Sequence, residues 1–363
     1  MAQDVGTDVV NGIFNLLKID AEWSAPISRG FSWWGHRLRQ RIWSTPPYDD
    51  RGIVIHRVYA VTDAVRDIKV SQTAADIALS PLGTLAIGSA KIFDPGEQVI
   101  RLWTSATVHA EVAPWMTPLL ASYAILQVIE AERTAELVAD ATQGVINRTS
   151  HPTSGMRQTP DEMLNVLDIG FRPMGQKKSP WNGNDELLKI SDALNATNCF
   201  CMGDTTGLTV EFQFGQDTSM MRIISTENHP SIGSGVGMFF QIPIFGSQES
   251  ACMIAGALNR AEEHTKSPSH LIGSWCAKTL GNRSVPAFVT FLPTALYKPG
   301  LLTSLTYSAV NRARWVAGFL EPNTRPENVG RLILRRLSIE TSDSGSASLN
   351  DCPSSEFLRQ RAG

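Results

Sequence analysis

Cys276, in the run Gly273-Ser274-Trp275-Cys276, is the best-placed nucleophile in the chain, and His229 or His270 would have to serve as its base. That pairing would make the protein a cysteine-dependent enzyme of unfamiliar type. Against it, Cys276 sits in a strand-like run where a small apolar side chain is expected in any case. Cys199-Phe200-Cys201 has one intervening residue, fewer than a zinc knuckle uses, and His264 and His270 have no second pair at ligand spacing. No metal is expected. Ser234-Gly235-Val236-Gly237 has the glycines of a phosphate loop, but they run into a strand instead of out of one. A tight turn or bulge explains them, and no cofactor is expected. The adjacent carboxylates Glu262 and Glu263 fall at a helix end and read as a solvated face.

Other residue types point to binding. Between Phe31 and Trp43 stand three tryptophans (Trp33, Trp34, Trp43) and three arginines (Arg37, Arg39, Arg41). They could form an exposed aromatic and cationic surface for a protein or a nucleic acid. Alternatively the tryptophans bury while the arginines reach water. Phe239, Trp275 and Trp315 would line one groove, with Arg312 or Arg314 beside it, if strand and helix pack together; ordinary core is the other reading. Arg312 falls on the apolar stripe of a helix, so it is either paired or aimed at something other than the core.

The elements that must position these residues are legible from periodicity. Alternation at 208–214, turn chemistry at 215–217 and a second run at 220–225 predict an antiparallel hairpin. A third strand covers 236–244 and should end or lie at a sheet edge at Pro243, which cannot donate to a ladder. Ser247 is a fitting N-cap for a helix with Ala251, Ile254, Leu258 and Ala261 on one face. Two more strands, 271–278 and 286–292, lead to a last helix over 301–320. Earlier, a helix at 7–20, a strand at 52–62, a helix at 71–80, a hairpin of 85–93 with 98–112 and a long helix at 116–143 follow in order. On that long helix Glu130 and Glu132 face solvent or a partner.

Strands followed by a long helix thus occur twice, which predicts two divergent copies of one α+β unit. The expected division is 1–30 lead-in, 31–146 first unit, 147–184 proline-rich linker, 185–322 second unit and 323–363 extension with a disordered tail. The chain has 363 residues, a formal net charge of -3 and a pI near 6.2, so it has no global attraction to nucleic acid or an anionic membrane. The five cysteines are scattered, and the amino terminus lacks the pattern of a secretory signal. Reduced thiols in a cytoplasmic protein are expected.

The series 208–214, His229-Pro230-Ser231-Ile232-Gly233, 251–262, Ile272-Gly273-Ser274-Trp275, Phe291-Leu292-Pro293 and Arg312-Ala313-Arg314-Trp315 resembles the YbjN and type III secretion chaperone-like superfamily. More narrowly it is similar to tandem peptide-binding chaperones of bacterial conflict and stress-response systems. Trp33-Trp34, Gln40-Arg41-Ile42-Trp43 and Leu126-Gln127 extend the resemblance to the first copy. It implies a curved antiparallel sheet flanked by helices, holding a client polypeptide without nucleotide or covalent chemistry. It also implies a monomer with a pseudo-dimeric repeat, or a homodimer. The candidate peptide contacts are Trp33, Trp34, Phe239, Trp275, Arg312, Arg314 and Trp315.

Overall fold

Alternating apolar residues at 208–214 form the middle of β10 (Thr205–Phe214), which runs antiparallel to β11 (Asp217–His229) with Leu208 opposite Ile223 and Val210 opposite Met221. The computed structural model describes residues 4–50, 52–84, 86–165, 183–194, 198–202, 205–214, 217–229, 232–264 and 270–319. Of the sequence expectations, the turn at 215–216, the linker segment 166–182 and everything after 319 lie outside the described residues.

With β9 (Asn198–Met202), β12 (Gly233–Gln241), β13 (Ser274–Leu280) and β14 (Arg283–Pro293), these strands form a six-stranded antiparallel sheet in the order β9-β10-β11-β12-β14-β13. β12 stops ahead of Pro243, as its missing N–H requires. Gly235 lies so close to β14 that a Cβ there would meet the Leu292 carbonyl at 2.4 Å, so close strand packing accounts for this glycine.

The other sheet has eight strands: β1 (Ser24–Ile27), β2 (Gly30–Trp34), β3 (Arg39–Ser44), β4 (Tyr48–Asp50), β5 (Ile53–Arg66), β6 (Ala90–Asp94), β7 (Val99–Val108) and β8 (Val145–Ile146). Its main path is β1-β2-β3-β5-β7-β6, with β4 and β8 both paired to the long β5. Around the sheets stand six helices among the described residues: α1 (Val5–Leu16), α2 (Gln72–Gly83), α3 (Ala113–Thr142), α4 (Asn184–Ala193), α5 (Gln248–His264) and α6 (Leu301–Phe319). Ser247 caps α5 by accepting the Ser250 N–H at 3.1 Å. No helix among the described residues is long and apolar enough to cross a membrane.

The fold is α+β, and one order of elements occurs twice. A helix, a set of meandering strands, a helix, a two-stranded hairpin and a closing helix make up 5–142 and again 184–319. Both sheets place the hairpin in reverse at the far side: β5-β7-β6 in one, β12-β14-β13 in the other.

One apolar core runs through both units and joins Trp33, Leu126 and Tyr123 of the first to Leu208, Trp275 and Val316 of the second, while a separate core around Leu38, Val65 and Phe93 lies within the first. At their junction α2 packs on α5, and Asp76 accepts two hydrogen bonds from Arg260, at 2.7 and 2.9 Å. Gly256 permits the approach, since a Cβ there would stand 2.2 Å from the Asp76 carboxylate. Backbone joins backbone as well: Ser105 N donates to Leu271 O at 3.0 Å, and the Tyr123 hydroxyl donates to Phe291 O at 3.0 Å.

Asp76 and Arg260 are 5% and 6% exposed, so removing one strands the other's charge in the interior. Asp76→Ala or Arg260→Ala should each lower stability by about 3–5 kcal/mol in chemical denaturation. Asp76→Leu combined with Arg260→Met should lose much less than either, because no charge is then left buried.

Candidate functional site

Alternation along β2 and β3 separates the Trp/Arg segment onto two faces. Trp33, Gln40 and Ile42 share one face and are fully buried, with Gln40 donating to Ala124 O and Gln127 Oε1 of α3, while Arg39, Arg41 and Trp43 take the opposite face. The exposed aromatic and cationic surface therefore does not form. Trp33 is 0% exposed, and Trp34 is held by its Nε1 donating to Thr149 Oγ1 at 3.1 Å and by an edge contact with the His151 ring. Each arginine of the segment meets a carboxylate. Arg37 donates to Glu132 at 2.9 Å, and Arg39 and Arg41 donate to Asp63 at 3.2 and 3.0 Å. Arg101 adds a third guanidinium to Asp63. Burial alone would raise the Asp63 carboxyl, but Arg41, Arg101 and Arg39 outweigh it and hold it well below the usual range.

The expected groove of Phe239, Trp275 and Trp315 is also replaced by a different arrangement. Trp275 lies opposite Phe288 and packs against Phe240 and Phe288, whereas Phe239 lies opposite Val289 on the other face of the sheet, with Lys278 over its ring. Trp275 and Arg312 are both 1% exposed, and both end on Glu262. Arg312 donates from Nε at 2.6 Å and Nη2 at 2.9 Å, and the Trp275 indole N–H donates at 2.5 Å. Arg312 is thus the paired arginine that the helix stripe allowed for. Trp315 is half-buried and Arg314 exposed on α6.

Several carboxylates expected to face solvent, or for Glu130 and Glu132 solvent or a partner, are bonded within the chain. Glu262 is 0% exposed because Arg312 and Trp275 enclose it. Glu130 pairs with Lys91 and accepts from Ser89, and Glu132 caps the turn before β3 by accepting the backbone N–H groups of Arg37 and Leu38. Glu263 is 6% exposed, and burial pushes it up to about 7 against the pull of Arg101, Arg260 and Arg41.

Cys276 lies buried where β13 meets α2, and burial pushes its thiol up to about 12. A thiol so protonated is a poor nucleophile. His270 accepts the Thr107 N–H at Nδ1, and burial, reinforced by Arg57 and Arg312, lowers it to about 4. The His229 ring rests on Phe291. Among the described residues no group of three or more His, Cys, Asp and Glu is placed to hold a metal; the His264 side chain lies outside the described residues.

Outer strands offer the remaining binding chemistry. β1 carries Pro26, which has no N–H, and its Ser24 carbonyl already accepts from His151 at 3.1 Å. β6 lies under α2 and α5. β13 is closed by side chains: Ser80 accepts the Ala277 N–H at 2.8 Å, while Asn259 accepts from Trp275 N at 2.9 Å and donates to its carbonyl at 3.0 Å. β9, at the far end of the second sheet, has a strand neighbour on one side only among the described residues. Periodicity did not reveal these caps, although small residues at Ser80, Gly83 and Gly256 were a visible sign of close helix approach.

No family model, curated protein or solved structure matches the chain.

Two outcomes follow from this geometry. Arg312→Met leaves Glu262 buried without its guanidinium and should cost about 3–5 kcal/mol, read as a lowered denaturation midpoint. Glu263 keeps its proton in the folded state to about pH 7, whereas an ordinary glutamate ionises near 4.5, so unfolding releases a proton between those values. Stability should therefore fall as pH rises through that window. Glu263→Gln removes the slope, and relative to wild type it should gain roughly 1–3 kcal/mol between pH 5 and pH 8 in urea titrations.

Proposed function

We propose that this chain is a non-enzymatic polypeptide-binding protein, a chaperone or adaptor, that adds a client segment to the outer edge of β9. The observation that carries the reading is the contrast among the outer strands. β1, β6 and β13 are closed by proline, side-chain caps or helices, and β9 is left with its outer side unpaired among the described residues. A strand edge presents a row of N–H and C=O groups to any extended chain, and main-chain pairing accepts many sequences. The twice-used α+β unit supports the reading through the resemblance to tandem type III secretion chaperone-like proteins. The ion-paired Arg37, Arg39 and Arg41, and the protonated Cys276, weigh against the nucleic-acid and thiol-enzyme alternatives. The cytoplasm is the compartment that fits this role.

Peptides selected from a random displayed library on the full chain test this directly. Bound peptide should slow amide exchange across 198–202 and leave exchange in the side-chain-closed β13 unchanged. Selected peptides that leave exchange at 198–202 unchanged, or a library that yields no binder, would sink the proposal.

A further inference from the structure

Consecutive glutamates at the end of α5 serve different units. Glu262 turns into the second, where it takes Arg312 and the Trp275 indole. Glu263 turns to the first. The charged groups that reach it are Arg41 on β3, Asp94 on β6 and Arg101 on β7, with Arg260 one turn earlier on its own helix, and Tyr59 on β5 feels its charge as well. At 6% exposure, this carboxyl is enclosed in the joint between the units.

The charges around it already balance. Arg39, Arg41 and Arg101 converge on Asp63 of β5, and Arg101 also holds Asp94 and Glu97. Arg260 is matched by Asp76 of α2, and Lys91 of β6 by Glu130 of α3. Four guanidiniums thus meet Asp63, Asp76, Asp94 and Glu97, so an ionised Glu263 leaves this set one negative charge in excess. Position adds to the imbalance. Glu263 is the penultimate residue of α5, beside the negative end of the helix dipole, where a carboxylate is disfavoured. Burial, with Asp94 beside it, accordingly keeps the proton on this group to about pH 7.

Beyond α5 the chain crosses to the first unit on two backbone donors of β7. Thr107 N donates to His270 Nδ1 at 3.2 Å, and Ser105 N donates to Leu271 O at 3.0 Å. His270 itself stays uncharged at neutral pH because of burial, Arg57 and Arg312. We propose that Glu263 is a proton-operated catch on the joint: uncharged, it seats the end of α5 against the first sheet, and charged, it draws water to that seat and loosens the crossing at His270 and Leu271. Hydration favours the carboxylate over the neutral acid, so opening rises with pH from the ordinary glutamate range to about 7 and levels off above it. The catch is a regulatory device and does not depend on the polypeptide-binding reading.

Amide exchange in the full chain at pH 6 and pH 8, corrected for the intrinsic pH dependence of exchange, provides the test. Opening reported by the Ser105 and Thr107 N–H groups should rise about tenfold in the wild type. The Asn147 amide, bonded to Ala64 O within the first unit, should not follow. Glu263→Gln should abolish the response, and Asp94→Asn, which removes a neighbouring negative charge, should move it to lower pH. Reporters that stay constant in the wild type, or that respond equally in Glu263→Gln, would overturn the proposal. If Glu263→Gln does not fold, Asp94→Asn decides, and a response at the wild-type pH overturns it.

Discussion

The bidentate pair between Asp76 and Arg260 is the constraint to which the rest of the molecule is fitted. It lies inside the junction of α2 and α5, and its geometry holds only if the helices approach closely enough to demand glycine at 256. From that approach come the contacts that close β13, since Ser80 on α2 reaches Ala277 and Asn259 on α5 grips the backbone of Trp275. The same seating brings Leu271 against Ser105 and Tyr123 against Phe291, so one apolar core runs through both units. A larger shared core buries a greater share of the chain's apolar surface than two small ones would.

Charge is handled in the same way throughout. Asp63 gathers Arg39, Arg41 and Arg101, Glu262 takes Arg312 and the Trp275 indole, and Glu132 joins Arg37 to the turn before β3. Each carboxylate fixes the register or seating of an element. Such groups are retained at some expense in desolvation, and what they supply is a defined arrangement of strands and helices. Residues that look chemically promising in isolation are committed to architecture.

Much of the architecture was legible because its cause is local. The apolar alternation at 208–214, the hairpin around Asp94, the spacing along α3 and α5 and the stop before Pro243 all follow from neighbours in sequence. The same local signals made the recurrence of the unit visible. Between Trp33 and Trp43 they misled, because the composition resembles a surface and the partners that neutralise it, Asp63 and Glu132, stand on β5 and α3. Trp275 failed for a related reason. Its burial depends on Glu262 and Arg312, which come from two different helices, and the pairing is set by how those helices cross.

The junction between α2 and α5 also has a consequence for descent. Helices in equivalent places, packed on one another, would in a dimer of identical chains meet across a symmetry axis, where the interface must be self-complementary. Asp76 faces Arg260, and α2 has no lysine or arginine to make the reciprocal pair, so one side is committed to the acid and the other to the base. Covalent tandem linkage keeps the two partners at high effective concentration and frees them to diverge.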